Sequence, residues 1–212
     1  MFRSIFRPYG LVWTVLNTIT DVVGLTLCWL LCCLPIVTVF PATAALYDAV
    51  VHGIRYREEG PYKRFFRTFR AEWKSGILST LLWGAVLGFF GYLLAVLLTM
   101  ARQDSGFSLY AGVYLAGMLL PIGAACWSAA IISRFTFSFL ALTGTAVRFV
   151  IAHFFRSLGI AACTVALAVF TWNYPIWVFA APACLMLLWS VFAEPVFAKY
   201  GAAITPVTPD ED

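Results

Sequence analysis

One carboxylate in this sequence stands out because of the apolar residues around it. Asp21 lies about ten residues inside a long apolar stretch, roughly 15 Å along a helix. An ionisable group at that depth in a membrane is energetically costly and is often functional, for example in coupling transport. Thr14, Asn17 and Thr18 occupy nearby positions of the same helix, so a polar seam in which Asp21 only fixes helix packing is the alternative.

A second candidate is a stretch in which two prolines stand six residues apart. Pro35 and Pro41 flank Thr38, and Ala42 and Tyr47 follow. Prolines break helices, and backbone groups freed inside a membrane can bind ions or polar substrates. A turn between two spanning helices is the simpler explanation. The candidate functional residues are Asp21, Pro35, Thr38, Pro41, Ala42 and Tyr47.

The sequence lacks the residue patterns that are typical of enzymes. It has no Gly-rich phosphate loop, no His-Glu-x-x-His motif and no Gly-x-Ser-x-Gly motif. Its two histidines, His52 and His153, lack the spacing of metal ligands. Asp48, His52 and Glu194 are expected at membrane boundaries, where charged groups reach water. We therefore expect no catalytic residue, no metal, no cofactor and no enzymatic activity.

Long apolar segments must position these residues. Of the 212 residues, 62% are hydrophobic and 11% are charged, whereas soluble domains average about 25% charged residues. Residues 22–47, 75–101, 105–133 and 157–193 contain no Asp, Glu, Lys or Arg, and each stretch exceeds the roughly 20 residues of a spanning helix. Backbone groups in hydrocarbon must be paired, and no alternating β-barrel pattern is present. The composition predicts an all-α, polytopic transmembrane helical bundle and excludes a soluble domain.

The apolar stretches divide into membrane segments of one helical domain, residues 1–200. The predicted segments are 11–34, 35–54, 76–100, 107–133, 157–171 and 175–193. The second segment is ambiguous, because a short helix that starts near Pro41 could return only partway across the bilayer or lie along its surface. Five to six membrane segments are therefore expected. The short acidic tail, residues 201–212, is expected to be cytoplasmic and disordered.

Positive charges near helix ends indicate the orientation, because Lys and Arg favour the cytoplasmic side. If residues 35–54 return to the starting side, thirteen of the fourteen Lys and Arg residues are cytoplasmic and only Arg102 is outside. If the first apolar residues form one long crossing, the division is 11 to 3. The distribution favours six segments with cytoplasmic N- and C-termini.

Two predicted cytoplasmic loops combine basic and aromatic residues. From Pro61 onward, aromatic side chains fall on one helical face and basic side chains on the other, a pattern typical of a helix at the membrane interface. The residues of this basic–aromatic segment are Lys63, Arg64, Phe65, Phe66, Arg67, Phe69, Arg70, Trp73 and Lys74. Residues 134–156 repeat the pattern more weakly. The expected partners are membrane lipids, in particular anionic headgroups of the inner leaflet, and not nucleic acid.

Residues 34–47 resemble the signature of a known family. Their Leu-Pro-Ile-Val-Thr run and the following Pro-Ala-Thr-x-Ala-Leu-Tyr are similar to a pattern of the YesL-like bacterial membrane proteins. Asp21 and residues 29–32 also fit, and residues 65–74 are similar to that family's basic aromatic loop. The resemblance covers residues 11–100 and extends over the remainder mainly in hydropathy.

The resemblance implies a place in the bacterial cytoplasmic membrane beside transport proteins. Family members are generally of unassigned function and are often encoded beside components of carbohydrate ABC importers. The resemblance therefore suggests a non-enzymatic accessory or scaffold protein with ABC permease subunits as partners. The alternative is an independent small-solute transporter or channel that uses Asp21 and the broken helix between Pro35 and Pro41. The sequence leaves the oligomeric state open.

Overall fold

A computed structural model describes residues 11–103, 106–135 and 139–199; 91% of it is helical, and none of these residues forms a strand. The α-helices are α1 (Leu11–Cys32), α2 (Val39–Val50), α3 (Pro61–Ala71), α4 (Trp73–Gln103), α5 (Phe107–Gly117), α6 (Leu119–Ile132), α7 (Phe139–Ala152), α8 (Phe154–Asn173) and α9 (Ala181–Lys199). Short 3₁₀-helices cover Ile36–Thr38 and Pro175–Phe179, and a π-helix covers Val51–Arg55. The predicted tail and the basic residues Arg3 and Arg7 lie outside the described ranges.

Within the described ranges, five helical stretches are long and apolar enough to cross a membrane. They are Ile36–Arg55, Trp73–Gln103, Phe107–Ile132, Phe154–Asn173 and Ala181–Lys199. Shorter apolar helices cover Leu16–Cys32 and Phe139–Ala152. The prediction of a multi-pass, all-α membrane protein is therefore confirmed.

Prolines explain where the helices differ from the predicted segments. The predicted segment 107–133 is divided at Gly117, four residues before Pro121. The ring of Pro121 crowds the backbone carbonyl of Gly117, and Pro121 has no N–H to donate to it. The segment predicted at 175–193 begins with a 3₁₀-helix, and α9 continues beyond Pro195 to Lys199. The boundary predicted between segments 157–171 and 175–193 coincides with the end of α8 at Asn173.

The hairpin formed by α1 and α2 packs beside the beginning of α4. Trp29 Nε1 donates to Thr43 Oγ1 at 3.2 Å within the hairpin. At its tip, the backbone N–H of Phe40 donates to Thr80 Oγ1 at 3.2 Å, and a Cβ on Gly76 would lie 2.6 Å from Pro41 Cβ. From Thr80, α4 continues to Gln103, about 35 Å at 1.5 Å per residue. The hairpin tip thus lies beside the first turns of α4.

Burial is concentrated at one end of the bundle, which we call the packed end. The buried residues of α4 are Gly76, Ser79 and Trp83, all within its first turns, and those of α8 also lie near its start. In contrast, residues 42–52 of the α2 stretch and 123–132 of α6 are almost continuously buried. The last turns of α9 complete this core. Beyond it, α4 and α8 expose most of their apolar surface.

Tryptophan side chains connect the helices of the packed end through hydroxyl groups. Trp83 Nε1 on α4 donates to Ser128 Oγ on α6 at 3.0 Å. Trp127 Nε1 on α6 donates to Ser157 Oγ on α8 at 2.8 Å, and its ring packs edge-to-face with Phe149. Hydrogen bonds of this kind hold helices together inside membranes, where water cannot compete. They fix three spans around one core.

Candidate functional site

The packed end encloses charged side chains that were expected to reach water. The side chains of Asp48, His52, Arg134 and Glu194 are only 3% to 6% exposed. The expectation that Asp48, His52 and Glu194 are solvated was therefore wrong. α3 packs along α2 and covers Asp48, whose carboxylate contacts Arg64 and Thr68 of α3. We call these four residues the charge network.

His52 links the two halves of the charge network. Its Nδ1 lies 3.0 Å from Asp48 Oδ1, and its Nε2 lies 2.9 Å from an Arg134 guanidinium nitrogen. Arginine can only donate, so Nε2 must accept and the ring proton must sit on Nδ1. The geometry therefore defines a neutral histidine that donates to Asp48 and accepts from Arg134.

Glu194 receives the strongest set of donors in the charge network. Arg134 forms an ion pair with Glu194 Oε1 at 2.7 Å, and Tyr47 donates to the same oxygen at 3.0 Å. Tyr56 donates to Oε2 at 3.2 Å. Burial raises the pKa of Tyr56, and the negative charge of Glu194 raises it further. The carboxylate thus accepts hydrogen bonds from one cation and two phenols.

Asp48 attaches α3 to the same network. Its Oδ2 accepts from Arg64 Nε at 3.0 Å and from Thr68 Oγ1 at 2.7 Å, and both donors lie on α3. Arg64 also pairs with the more exposed Glu58 at 2.7 Å. Because His52 donates to the other oxygen of Asp48 and contacts Arg134, this carboxylate links α3 to Arg134, which follows α6, and through it to Glu194 of α9.

The helices that carry His52 and Glu194 are irregular at these residues. His52 and Arg55 lie in the π-helix, a rare element that is often found at functional sites. Glu194 directly precedes Pro195, which cannot donate a backbone hydrogen bond inside α9. Sequence reasoning considered these charges one at a time. The signals that it missed were the spacing of Asp48 and His52, four residues apart on one helix face, and a carboxylate beside a proline in an apolar segment.

Most polar atoms of the charge network are occupied, although among the described residues Arg134 Nε is buried and has no hydrogen-bond partner. Both ring nitrogens of His52 are occupied by Asp48 and Arg134, and the carboxylates of Asp48 and Glu194 accept from several donors each. Within the described ranges, no group of three or more His, Cys, Asp or Glu side chains is arranged to hold a metal ion. The arrangement is suited to fixing helices relative to one another.

Asp21 lies outside the charge network. It is half-buried and lies beside Tyr62 of α3, whose hydroxyl would have to shift if Gly24 carried a Cβ. Burial raises the pKa of Tyr62, and the nearby charge of Asp21 raises it further. Asp21 therefore connects α1 to α3.

The proline stretch satisfies its own backbone. Thr38 Oγ1 lies 2.5 Å from the carbonyl of Cys32 and 2.6 Å from that of Pro35, and its one hydroxyl proton is shared between them; the Pro35 carbonyl also accepts from the backbone N–H of Thr38 at 2.9 Å. Pro41 packs against Gly76, and Ala42 is completely buried. Of the six candidate functional residues, Tyr47 contacts the charge network, through Glu194, and of the basic–aromatic segment Arg64 does so through Asp48.

The basic–aromatic segment covers α3 and the start of α4, and some of its side chains are exposed while others are buried. Its exposed basic residues are Lys63, Arg67, Arg70 and Lys74, and Phe66 and Trp73 are also exposed. Phe65 is completely buried, Phe69 packs against the core, and Arg64 belongs to the Asp48 contacts. Hydrogen bonds from Glu72 N to Thr68 O and from Gly76 N to Glu72 O carry α3 into α4. Contact of this segment with lipid headgroups remains a prediction.

Sequence comparison supports part of the family resemblance. Residues 22–97 match the family described as "Protein of unknown function, DUF624", which is the YesL-like group. No curated protein and no solved structure matches the chain. The matched range contains Asp48, His52 and Arg64, and it ends before Arg134 and Glu194.

Proposed function

We propose that this protein is a non-enzymatic accessory or scaffold protein of the bacterial cytoplasmic membrane that binds the permease subunits of a carbohydrate ABC importer. The observation that carries this proposal is the exposure of α4. This helix has 31 residues, but only 6% of its most apolar window is buried. A packed core that carries a long span with an exposed apolar surface suits a protein that pairs with another membrane protein.

The exposed face of α4 has the residues that close helix pairing requires. Gly84, Gly88, Gly91 and Ala95 recur at intervals of three or four residues and therefore share one face. No neighbouring atom lies within 4 Å of the position of a Cβ on any of these glycines. Small residues at this spacing let two spanning helices approach closely in lipid. We call this face the small-residue face.

Larger side chains flank the small-residue face. Leu81, Tyr92 and Leu98 are 57%, 68% and 47% exposed. In a helix pair, these side chains would pack around the close contact between the backbones and supply van der Waals contact, which drives association where lipid is as apolar as the protein. A permease span is thus a chemically suitable occupant.

The choice of a carbohydrate importer rests on the family resemblance of residues 11–100, whose YesL-like relatives are often encoded beside such importers. The residues that suggested an independent transporter, Asp21 and the stretch from Pro35 to Pro41, make contacts within the fold instead. Asp21 lies beside Tyr62, and Thr38 Oγ1 shares its proton between two carbonyls of the broken helix. The charge network likewise holds helices together and supports a scaffold.

The proposed orientation has the packed end in the cytoplasm. The described basic residues of 55–74, together with Arg134, Arg156 and Lys199, belong to helix ends or loops at the packed end, whereas Arg102 lies in the last turn of α4, at the opposite end. Lys and Arg beside spans favour the cytoplasmic side. In this orientation the exposed basic residues of α3 would meet anionic headgroups of the inner leaflet.

We expect the double variant Gly84→Leu/Gly88→Leu to lose its partner. Affinity purification from native membranes should recover at least about tenfold less permease with this variant than with the unmodified protein, because a loss of about 1.4 kcal/mol in binding is tenfold in the equilibrium constant. Gly112→Leu on α5 is the matched control, because Gly112 is also exposed and also has open space around it.

Sugar uptake gives the second readout of the same variants. A deletion strain should show reduced uptake, which the unmodified protein and Gly112→Leu restore and the double variant does not. Equal recovery of permease with all three proteins, or uptake that is unchanged by the deletion, would refute the proposal.

A further inference from the structure

The contact between His52 and Arg134 depends on a ring nitrogen that carries no proton. His52 Nε2 lies 2.9 Å from an Arg134 guanidinium nitrogen and accepts its hydrogen bond, and Nδ1 lies 3.0 Å from Asp48 Oδ1. A proton from water that binds Nε2 replaces the accepting lone pair with an N–H group. Two donors and two positive charges then face each other within hydrogen-bond distance. Protonation of His52 therefore breaks this contact.

The carboxylates around His52 allow the two cations to separate. Asp48 stabilises a charged ring, whereas Arg134 opposes it. Glu194 forms an ion pair with Arg134 at 2.7 Å. Each cation thus keeps a carboxylate of its own when His52 and Arg134 move apart. The charged and titratable groups that face the ring or its partners from the described elements are Tyr47, Asp48, Arg55 and Tyr56 of the α2 stretch, Glu58 of the following loop, Arg64 of α3, Arg134 after α6 and Glu194 of α9.

Arg134 carries this change to the end of α6. Its backbone N–H donates to Ile131 O at 3.0 Å, and the backbone N–H of Phe135 donates to the same oxygen at 2.9 Å. These bonds form the last turn of the helix. The buried side chain of Arg134 anchors this turn between His52 and Glu194. Release of the side chain from His52 should therefore loosen the end of α6.

The backbone beside His52 adopts conformations that few residues favour. His52 lies in the π-helix, and Arg57 has a φ of 55°, in the left-handed region that disfavours a residue with a Cβ. The backbone N–H of Glu58 donates to His52 O at 2.9 Å. Such conformations persist where the surrounding contacts hold them. Residues 55–60 are exposed, so water reaches the loop next to the buried ring.

We propose that His52 is a pH-sensitive latch between the α2 stretch and the end of α6. In the closed state, Nε2 is unprotonated and binds Arg134. In the open state, Nε2 carries a proton, His52 pairs with Asp48, and Arg134 pairs with Glu194. The open state binds the proton more tightly, so the latch is closed at high pH and opens as the pH falls. This device belongs to the packed end and does not depend on the small-residue face or on a permease.

Hydrogen exchange of the full chain in detergent tests the latch. The protection factor already corrects for the pH dependence of exchange itself. From about pH 7.5 to about pH 5.5, the protection factors of residues 131–135 should fall at least about tenfold, because one linked proton contributes up to about a factor of ten per pH unit. Residues 180–184, at the end of α9 that lies away from Glu194, should keep their protection.

The two histidines of the chain supply the matched variants. His52→Gln should abolish the fall in protection, because glutamine offers Arg134 an acceptor and cannot take up a proton. His153→Gln is the control and should show the same fall as the unmodified protein. Unchanged protection of residues 131–135 at the lower pH, or a fall of equal size in His52→Gln, would overturn the proposal.

Nitrogen-15 NMR of the His52 ring gives a readout that does not need a folded His52→Gln protein. The ring signals can be assigned by comparison with His153→Gln. At about pH 7.5, Nε2 should show the shift of an unprotonated nitrogen and Nδ1 that of a protonated one. The imidazolium should appear over the same pH range in which residues 131–135 lose protection. A ring that is charged at about pH 7.5, or one that charges while residues 131–135 stay protected, would contradict the latch.

Discussion

Replacement of Arg134 by methionine should lower the free energy of unfolding by about 3–5 kcal/mol, the usual cost of leaving one member of a buried ion pair without its partner. The change removes the cation from Glu194 and the donor from His52 Nε2, both of which remain buried. Thermal unfolding of the detergent-purified protein measures the effect. Methionine keeps most of the volume of the side chain. The loss of unfolding free energy should therefore come mainly from the missing charge and not from poorer packing.

The control for Arg134 is Arg102→Met. Arg102 is exposed in the last turn of α4, and exposed substitutions of this kind usually change stability by less than about 0.5 kcal/mol. A further variant, Arg134→Met/Glu194→Leu, should recover part of the loss because it removes both charges. If Arg134→Met and Arg102→Met unfold at the same temperature, the charge network does not hold the packed end together.

Asp48→Ala should be the second most damaging single change, with an expected loss of about 3–5 kcal/mol. It leaves Arg64, Thr68 and the Nδ1–H of His52 without their acceptor and detaches α3 from the other helices of the packed end. Besides a lower unfolding temperature, we expect faster proteolysis in residues 55–60, because the contact that holds the start of α3 is lost.

Glu58 supplies a matched comparison for Asp48, because both carboxylates bind Arg64. The side chain of Glu58 is 45% exposed, against 5% for Asp48. Solvent-exposed ion pairs contribute about 0–1 kcal/mol, so Glu58→Ala should be nearly neutral. A loss of similar size in both variants would show that burial of Asp48 does not set the strength of the contact.

The helices were predictable because the bilayer imposes strong rules on sequence. Long uncharged stretches require helices, and the predicted start of α3 at Pro61 is confirmed because proline is favoured in the first helical turn. The helical part of residues 134–156, α7, was also indicated by its apolar spacing. Local composition and the residues favoured at helix ends are enough to predict where such helices lie and begin.

The charge network was not predictable in the same way. Arg134 is 82 residues from His52 and 60 residues from Glu194, and only the packing of helices brings them together. Each charge lies near the end of an apolar segment, where solvation is the ordinary outcome. The length of an apolar run likewise does not reveal that the tip of the α1–α2 hairpin stops beside Thr80.

A photo-crosslinking side chain on the exposed surface of α4 tests the proposed partner contact most directly. Leu81 flanks the small-residue face, and Val169 on α8 is a matched position, because both side chains are 57% exposed. After illumination of native membranes, position 81 should capture a carbohydrate-importer permease, identified by mass spectrometry, and position 169 should not. Capture of permease at neither position, or equally at both, would contradict the account.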